Sequence, residues 1–406
     1  MISLKSPAYE QEIDRQKILG HLQNVLTRSD IGFKDVTHRE DIWKASQARA
    51  DQVKGDLTDL ALVGIGGSHL GVEAIHNALH FGDLQVTFFD NLDPIYFKRK
   101  WSGLNSIENT HWVITSKSGT TLETLALANF IEQSLKAEGL DLASRCTVIT
   151  EFKSNPLYTW AKAAGVEVLE LSEDIGGRFS VLTPVGVLPA AIMNLDIEGL
   201  RKGATWALAN EDFVCDLAIQ FLHSLKDEKF ISMMWIYSDQ LNTFGEWWQQ
   251  LWAESLSKKV SLSGEPGPTV STPIACRGAN DQHSLLQQVI EGQRDKLVGF
   301  LTVVANNDYG EAMQGDLFGV QSFCLGKKMG QILKAEADAN MQAMRSGGIP
   351  AFHLEVEKVD ESALGALFMS FELLVATLGE VFQINTFDQP GVEQGKVLTK
   401  QLLQPS

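Results

Sequence analysis

The sequence predicts an α/β protein made of two doubly wound α/β/α sandwich domains with mainly parallel sheets. Short runs rich in β-branched residues alternate with segments of helical periodicity. These runs are apolar almost throughout, as expected for parallel strands that are covered on both faces. They also form two series, which meet near residues 195–205. Together these observations favour two α/β domains in tandem.

The elements can be assigned in chain order. We predict an N-terminal helical arm over residues 1–40, a first domain over 41–198, and a second domain over 199–406 that ends in a C-terminal helix. The predicted strands of the first domain are "LALVGI" (60–65), "QVTFFD" (85–90), "HWVITS" (111–116), "CTVIT" (146–150) and "VEVLEL" (166–171). Those of the second domain are "FISMMWIYS" (230–238), "LVGFLTVVA" (297–305) and "AFHLEVEKV" (351–359).

Composition narrows the possible functions. The chain has 406 residues and a net charge of −17, from 34 basic and 51 acidic side chains. An acidic protein repels phosphate backbones, so we expect no nucleic-acid partner, although one local lysine can still bind a small anion. The cysteines are widely spaced and form no CxxC motif, which favours reduced thiols over a zinc site or a disulfide framework. They are Cys146, Cys215, Cys276 and Cys324.

The chain shows no targeting or membrane-spanning pattern. The N-terminus, "MISLKSPAYEQEIDRQ", lacks an apolar signal core. The longest uncharged run, Phe179 to Leu195, contains two prolines and is short for a membrane span. Thr183 as N-cap and Pro184 at the first helical position predict a buried helix there instead. We therefore expect a soluble cytoplasmic protein without a membrane partner.

Ligands of open α/β sheets bind outside the carboxyl ends of the strands, so the turns that follow strands are the first candidates. The first such turn, "VGIGGSHLG", is rich in glycine but departs from the dinucleotide-binding pattern, because His69 stands where the third glycine is expected. Its glycines still allow a ligand to approach the backbone, and Ser68 offers a hydroxyl and an amide. A tight turn without a ligand is the alternative.

The second turn lies in "HWVITSKSGTTLET". Thr120 and Glu123 match a capping box, which predicts that a helix begins here. The helix N-terminus carries unpaired N–H groups and a partial positive charge, and Lys117 adds a full charge. An ordinary capped helix would explain one hydroxyl and the glutamate, but not the remaining hydroxyls. The sequence therefore predicts a monophosphate pocket, with hydroxyls from Ser116, Ser118, Thr120 and Thr121.

Two further segments carry charged candidates. In "DIGGRFSVLTPVG", a glycine pair places Arg178 near a backbone bend, where a guanidinium can stabilise an oxyanion; a surface salt bridge is the equal alternative. In "NTFGEWWQQLWAESLSKK", Gln250 and Glu254 are four residues apart and share a helix face, with Trp247 near the same face. A carboxylate beside apolar rings suits a general base. A solvated helix position is the default for Glu254 alone.

The remaining candidates are weaker when each is taken alone. In "CRGANDQHSLLQQVIEG", a cap at Asn280 or Asp281 would place His283 in the first turn of a helix, where the dipole favours a neutral imidazole. A structural histidine is the commoner alternative. In "NTFDQPGVEQGKVLTKQL", Gln389 precedes a helix and Lys396 is expected about two turns into it. The pair His76 and His80 has metal-ligand spacing but no acidic ligand motif nearby, so we expect no metal.

Taken together and in this order, the segments resemble those of the glucose-6-phosphate isomerase family, from about residue 60 to residue 400. The matching stretches are "GIGGSHLG", "SKSGTTLET", "GGRFSVLTPVG", "QQLWAES", "GANDQHSLLQ" and "FDQPGVEQGK". The resemblance implies two sugar-isomerase (SIS) domains. It also implies reversible conversion of glucose 6-phosphate to fructose 6-phosphate, in glycolysis and gluconeogenesis, without a metal or organic cofactor. A homodimer with shared active sites is implied as well.

The resemblance also assigns roles to residues. It implies that Glu254 moves the proton, that Arg178 faces the enediolate, and that His283, from the partner subunit, and Lys396 assist ring opening. The substrate-binding residues it implies are Ser68, Ser116, Lys117, Ser118, Thr121, Gln250 and Gln389. Three tryptophans on one helix favour core or interface packing, and Trp247, Trp248 and Trp252 near Glu254 would supply aromatic surface to the subunit interface. A related SIS isomerase, including one for mannose 6-phosphate, and a phosphosugar sensor remain alternatives; Glu254 and His283 together disfavour the sensor.

Overall fold

The computed structural model describes residues 1–6 and 13–404. The strands are β1 (Ile2–Lys5), β2 (Asp59–Val63), β3 (Gln85–Phe89), β4 (Thr110–Thr115), β5 (Cys146–Thr150), β6 (Glu167–Glu170), β7 (Ile231–Ile236), β8 (Thr272–Arg277), β9 (Lys296–Val303) and β10 (Ala351–Val356). The helices are α1 (Arg15–Thr27), α2 (Glu40–Val53), α3 (Leu70–Leu79), α4 (Pro94–Ser102), α5 (Leu122–Ala137), α6 (Pro156–Ala164), α7 (Pro184–Ile192), α8 (Ile197–Ala209), α9 (Glu211–Lys226), α10 (Asn242–Leu256), α11 (Leu286–Glu291), α12 (Met329–Ser346), α13 (Glu361–Phe382) and α14 (Glu393–Leu403).

The strands form two five-stranded sheets. The first has the order β3-β2-β4-β5-β6, and all of its neighbouring strands are parallel. The second has the order β1-β10-β9-β7-β8, and only β1 is antiparallel to its neighbour. Strands β2, β4 and β5 are buried along their whole length, which explains their continuous apolar sequence. The predicted α/β class with mainly parallel sheets is confirmed.

Every predicted run overlaps a strand of the structure. Strands β1 and β8 were not predicted. Strand β8, "TPIACR", contains Pro273 and Arg277 and is only partly buried, so it carries no continuous apolar signal. Strand β1 lies within the segment that was predicted to be a helical arm. It adds to the edge of the second sheet, where Ile2 faces Val356 of β10. That partner is distant in sequence, so no local pattern could reveal the pairing.

The rest of the arm docks on the second half of the chain. Helix α1 packs against α13 and α9 and buries Ile18, Leu22 and Val25. Residues 7–12 of the arm lie outside the described residues. The largest apolar cluster joins residues of both halves, including Leu60 and Leu297. The division into 1–40, 41–198 and 199–406 stays a prediction.

Two apolar helices lie inside the protein. The predicted buried helix is α7, which begins after Thr183, whose Oγ1 accepts from Val185 N at 3.3 Å, and each of its residues is buried. Helix α13 is long and apolar enough to cross a membrane by length and composition, and 94% of its most apolar window is buried within the described part of the chain. Both helices therefore serve as core elements of the fold.

The start of α5 differs from the prediction. The helix begins at Leu122 with Thr121 as N-cap, and no side chain caps its first turn. The capping box predicted for Thr120 and Glu123 is therefore wrong. Thr120 Oγ1 lies 2.9 Å from Ser118 Oγ instead. The loop turns at Gly119, where φ is +61°, and this turn aims the Thr120 hydroxyl back along the loop rather than at the helix.

Candidate active site

The two ligand-binding turns predicted in the first half lie side by side. Strands β2 and β4 are parallel neighbours, so their carboxyl ends meet at one edge of the sheet. From β2 the chain runs to β3 on one side, and from β4 it runs to β5 on the other, which makes this position the topological switch point. A Cβ built on Gly64 would lie 3.2 Å from Thr115 O. The position of a ligand site is thus set by the strand order.

The loop after β4 is held in shape by its own hydroxyls. Ser116 is buried, and its Oγ lies 2.9 Å from Thr121 Oγ1. Ser118 Oγ lies 2.9 Å from Thr120 Oγ1 and accepts a hydrogen bond from Thr120 N at 3.3 Å. The hydroxyls gather at the N-terminus of a 16-residue helix, whose first N–H groups have no partner within the helix. Such a loop is suited to surround a small anion.

The close packing of this loop requires Gly119. Besides the positive φ, a Cβ at this position would lie 1.8 Å from Asn155 Oδ1. The Asn155 side chain is needed where it is, because it accepts from Tyr158 N at 2.8 Å and so caps α6. The serine–glycine pair of the loop therefore follows from its packing against the start of the next helix.

Lys117 is more constrained than the sequence suggested. Its Nζ donates to Glu173 O at 3.0 Å and lies 3.6 Å from Glu151 Oε1. Glu151 is buried and also forms an ion pair with Lys153. Burial lowers the pKa of Lys117, and the Glu151 carboxylate works in the opposite direction. The lysine therefore links the hydroxyl-rich loop to the loops that follow β5 and β6.

Ser68 ends a short 3₁₀ turn, Gly66–Ser68, that packs against a second 3₁₀ turn, Gly177–Phe179. A Cβ at Gly67 would lie 2.3 Å from the carbonyl carbon of Gly177, so only glycine permits this approach. The contact brings the Ser68 turn next to Arg178. The glycines of the turn after β2 thus allow the segments around Ser68 and Arg178 to approach each other. They also leave backbone groups accessible to a ligand.

Arg178 lies at the centre of the site and is 3% exposed. Its Nε donates to Ser255 Oγ at 2.6 Å, and its Nη2 donates to the carbonyl oxygens of Thr386 and Asp388, the latter at 3.1 Å. Its Nη1 lies 3.4 Å from Glu254 Oε2. Because the side chain is buried and multiply bonded, the surface salt bridge considered for Arg178 is wrong.

The guanidinium retains donor capacity on the side that faces Glu254. Arginine has five N–H groups, and the contacts above occupy four of them among the described residues. The remaining N–H belongs to Nη1, the nitrogen nearest Glu254. Burial lowers the pKa of Arg178, opposed by the Glu254 and Asp388 carboxylates, but an arginine remains charged at neutral pH. A fixed cation with one spare donor can stabilise negative charge on a ligand oxygen.

Gln250 and Glu254 share a face of α10, as their spacing predicted. Gln250 Nε2 donates to Glu254 Oε1 at 3.1 Å, and the Glu254 side chain is 28% exposed. Both residues border a cavity of about 660 Å³, which runs along α10 from Asn242 and is closed on the other side by the end of β8. The carboxylate therefore has an open approach for a small molecule.

The surroundings of Glu254 differ from the expectation. Trp247, Trp248 and Trp252 are at most 1% exposed and belong to the core. Trp247 packs against Phe368 at 4.8 Å between ring centroids. These rings therefore supply no surface for a subunit interface, and that argument is wrong. Polar groups, rather than the Trp247 ring, flank the carboxylate.

The structure does not join His283 to this group. His283 is the last residue of the 3₁₀ turn Asn280–His283 and is exposed, while α11 begins only at Leu286. The prediction that His283 occupies the first turn of a helix is wrong. The Asp281 side chain does not cap a helix there, because its Oδ2 accepts a hydrogen bond from Arg277 N at 2.6 Å. No hydrogen bond or ion pair links the His283 side chain to another residue in the ranges 1–6 and 13–404.

Gln389 and Lys396 lie on the segment that leaves the site. Gln389 is exposed and follows Asp388, whose carbonyl accepts from Arg178. Lys396 is in the first turn of α14, not two turns into it, because the helix begins at Glu393 after the 3₁₀ turn Pro390–Val392. Its Nζ pairs with Glu393 Oε1 at 2.7 Å, and its side chain is 65% exposed. The side chains of Gln389 and Lys396 are therefore both exposed on this chain.

Sequence analysis missed several residues of the site. Ser255 and Lys258 follow Glu254 in the same segment, and Lys258 is four residues further on, so helical spacing gave a usable signal. Asp388 and Glu151 gave no signal in the sequence, because each contributes to the site by contact with a residue that is remote in sequence. In the described part of the chain, no cluster of three histidine, cysteine or acidic residues is placed to hold a metal ion.

Fold and site together define the class of this protein. It has two doubly wound α/β units with mainly parallel sheets, a hydroxyl-rich loop at one switch point and a buried arginine paired with a glutamate. The phosphoglucose isomerase family model matches residues 37–406. The chain therefore belongs to the phosphoglucose isomerase family, whose members are aldose–ketose isomerases.

Individual comparisons agree with this assignment. A probable glucose-6-phosphate isomerase of Haloarcula marismortui is 31% identical, over 97% of this chain and 89% of its own length. A glucose-6-phosphate isomerase of Thermus thermophilus is 34% identical, over 85% of this chain and 83% of its own length. The crystal structure of a hypothetical protein from Thermus thermophilus superimposes with a TM-score of 0.88 at 30% identity, and covers 96% of this chain and 95% of that one.

Proposed function

We propose that this protein interconverts glucose 6-phosphate and fructose 6-phosphate, in glycolysis and gluconeogenesis. The observation that carries the proposal is the placement of Glu254, which borders an open cavity, next to Arg178. Family membership supplies the substrate class. The reaction is acid/base chemistry, so the proposal assigns it no metal or organic cofactor.

Glu254 is the proposed proton carrier. An aldose and its ketose differ by one proton that moves between adjacent carbons, and one carboxylate can remove it and return it. Gln250 fixes one carboxylate oxygen, and the other faces Arg178. The intermediate carries negative charge on oxygen, which the spare N–H of Arg178 Nη1 can bind. A base that borders a cavity, with an oxyanion donor 3.4 Å away, matches this reaction.

The loop from Ser116 to Thr121, with Ser68 nearby, is the proposed phosphate site. Hydroxyls and first-turn amides of α5 would bind the phosphate oxygens. Lys117 would contribute its charge and would hold the loop against Glu173 and Glu151. Because the phosphate takes no part in the reaction, its binding energy can position the reacting carbons at Glu254.

Ring opening requires a second acid/base, which we propose to be His283 and Lys396 acting near Gln389. His283 is exposed and has no described partner on its own chain, as expected for a residue that completes the site of a second subunit. We therefore propose a homodimer with shared active sites. We also propose a cytoplasmic location, where sugar phosphates are metabolised.

The test of the function is an assay with fructose 6-phosphate, coupled to the oxidation of glucose 6-phosphate by its NADP-linked dehydrogenase. Turnover is the expected result. Binding of fructose 6-phosphate without turnover would contradict the proposal and indicate a sensor. Equal or better turnover of mannose 6-phosphate, detected with a coupling enzyme that consumes its product fructose 6-phosphate, would contradict the assigned substrate.

The role of Glu254 is tested with Glu254→Gln, which keeps the shape of the side chain and removes its basicity. We expect turnover to fall at least ~100-fold, the usual scale for the loss of a general base, with substrate binding largely unchanged. The measurement is the exchange of deuterium at the second carbon of the sugar with solvent. Exchange at the wild-type rate in a folded variant would assign the proton transfer to another residue.

A further inference from the structure

Lys258 is a buried cation that the proposed reaction does not use. Its side chain is 6% exposed, although it follows the C-terminal end of α10 on the edge of the site. Its Nζ donates to Glu254 O at 3.0 Å, to Asp388 Oδ1 at 2.9 Å and to Asp388 O. Each partner belongs to a segment that holds a proposed catalytic side chain in place.

The loop that contains Asp388, to which Lys258 is hydrogen-bonded, also positions Arg178. Both N–H groups of Arg178 Nη2 donate to this loop, to the carbonyl oxygens of Thr386 and Asp388. The carbonyl of Asp388 therefore accepts from two cations at once, Lys258 and Arg178. A shift of this loop would move the guanidinium, because two of its four contacts end there.

Apolar packing fixes one side of the loop. The Phe387 ring packs against Phe179 at 5.2 Å and Phe33 at 6.2 Å between centroids, and Arg28 lies over its outer face at 5.2 Å. These contacts hold the loop against the core but leave the Asp388 side chain 49% exposed, on the side of the loop that faces Lys258. Lys258 supplies the link between that side and α10.

We infer that Lys258 and Asp388 form a positioning pair that fixes Arg178 at the correct distance from Glu254. The inference rests on the proposed isomerase function and adds to it the device that aligns the oxyanion donor with the base. The ammonium binds the last turn of α10 through Glu254 O, where the helix dipole favours a positive charge. Through Asp388 it binds the loop that holds the guanidinium. Neither residue touches the reacting atoms.

The experiment compares Lys258→Met with Lys259→Met in the full-length protein. Methionine keeps most of the side-chain length and removes the charge. Lys259 is the matched control, since it is the next residue, is exposed, and has no side-chain partner among the described residues. Asp388→Asn provides a second variant that keeps the shape of the partner. Thermal unfolding confirms that each variant is folded before its kinetics are measured.

For Lys258→Met we expect kcat to fall about 10- to 100-fold, the scale for misplacing a catalytic group by an ångström or less, with KM changed by less than about threefold. If Lys258 had a purely structural role, its substitution would not lower kcat selectively while KM stayed nearly constant. Lys259→Met should behave as the wild type. Asp388→Asn should lower kcat in the same way, and the double variant should be less impaired than the product of the two single effects.

Two inhibitors that differ in charge test the position of Arg178 directly. Arabinonate 5-phosphate carries a carboxylate where the enediolate oxygens form, whereas arabinitol 5-phosphate has a neutral hydroxyl there. In Lys258→Met, the inhibition constant should rise for the first compound and stay constant for the second. Wild-type kcat in Lys258→Met, or equal weakening of both inhibitors, would overturn the inference. If Lys258→Met does not fold, the same inhibitor comparison on Asp388→Asn decides. Absence of isomerase activity in the wild type would instead refute the proposed function.

Discussion

At the scale of single residues, Lys117 of the proposed phosphate site has a structural contact as well as the proposed binding role. Lys117 stands among hydroxyls at a helix start, which points to anion binding, yet its Nζ is hydrogen-bonded to Glu173 O. Glu151 lies between Lys117 and Lys153 and pairs with both. The Glu151 carboxylate therefore balances the positive charges of both lysines.

Substitution of Lys117 by alanine should weaken the binding of 6-phosphosugars by roughly 10- to 150-fold, from the loss of a charge-assisted contact of about 1.5–3 kcal/mol. Lys153→Ala is the matched control, because Lys153 pairs with the same glutamate but is 52% exposed and lies outside the loop. The measurement is the inhibition constant of a sugar-phosphate analogue. An unchanged constant in folded Lys117→Ala would remove the lysine from the phosphate site.

At the scale of elements, the crossing of α8 and α13 is the tightest helix contact of the core. A Cβ on Gly203 of α8 would lie 1.9 Å from Ser362 O, and one on Gly365 of α13 would lie 2.0 Å from Leu200 O. The two helices thus approach each other backbone to backbone through paired glycines. The sequence does not reveal this role for either glycine, because glycine usually disfavours the interior of a helix.

Gly203→Ala should therefore destabilise the protein by about 1–3 kcal/mol, the usual cost of overpacking a core. Gly20→Ala provides the opposite control. Gly20 lies within α1 on the surface, a Cβ there meets nothing within 4 Å, and alanine should stabilise the helix by about 0.4–1 kcal/mol. Urea unfolding midpoints at one protein concentration would measure both. If the two substitutions shift the midpoint in the same direction, the proposed packing at the crossing is incorrect.

At the scale of the whole molecule, the long core helix carries a buried acid. Glu372 of α13 is 0% exposed, and neither carboxylate oxygen has a hydrogen-bond partner among the described residues. Burial raises the pKa of the Glu372 carboxyl well above its ordinary value of 4.5. The folded state therefore retains a proton that the unfolded state loses above about pH 4.5, and stability should fall as the pH rises towards the raised pKa.

Glu372→Gln should remove this dependence. Wild type and variant should be equally stable near pH 4, and the variant should gain by up to about 1.4 kcal/mol per pH unit above 4.5 until the raised pKa is reached. Thermal unfolding between pH 4 and pH 8 would measure the difference. Glu138→Gln, at an exposed position, is the control and should follow the wild type. A constant difference between Glu372→Gln and wild type over this range would show that the carboxyl does not titrate as described.

The proposed shared site can be tested by subunit mixing. Inactive dimers of Glu254→Gln and of His283→Ala are combined under conditions that allow subunits to exchange. If the residues act in trans, each hybrid has one site with both lesions and one intact site, so activity should approach half that of a normal dimer. If both residues come from one chain, every site keeps a lesion. Verified exchange without recovered activity would reject the shared site and leave the isomerase proposal in place.

The sequence by itself determined the features that depend on local pattern. Continuous apolar runs located the parallel strands, because strands buried on both faces need no polar residues. The four-residue spacing of Gln250 and Glu254 placed both on one helix face, and their side chains are hydrogen-bonded. The hydroxyl-rich loop after β4 was found because ligand turns follow strands. These features require only the geometry of one element and its neighbours in the chain.

Only the tertiary structure decided which remote residues meet. Arg178 owes its position to carbonyls of Thr386 and Asp388, and Lys258 contacts Asp388 across 130 residues of sequence. The burial of Trp247, the pairing of β1 with β10 and the exposure of His283 follow in the same way from the path of the chain. Periodicity fixes which face of an element is apolar, but it contains no information on which distant segment covers that face. Long-range packing supplies that information, and it decided how Glu254, Arg178 and the hydroxyl-rich loop came together.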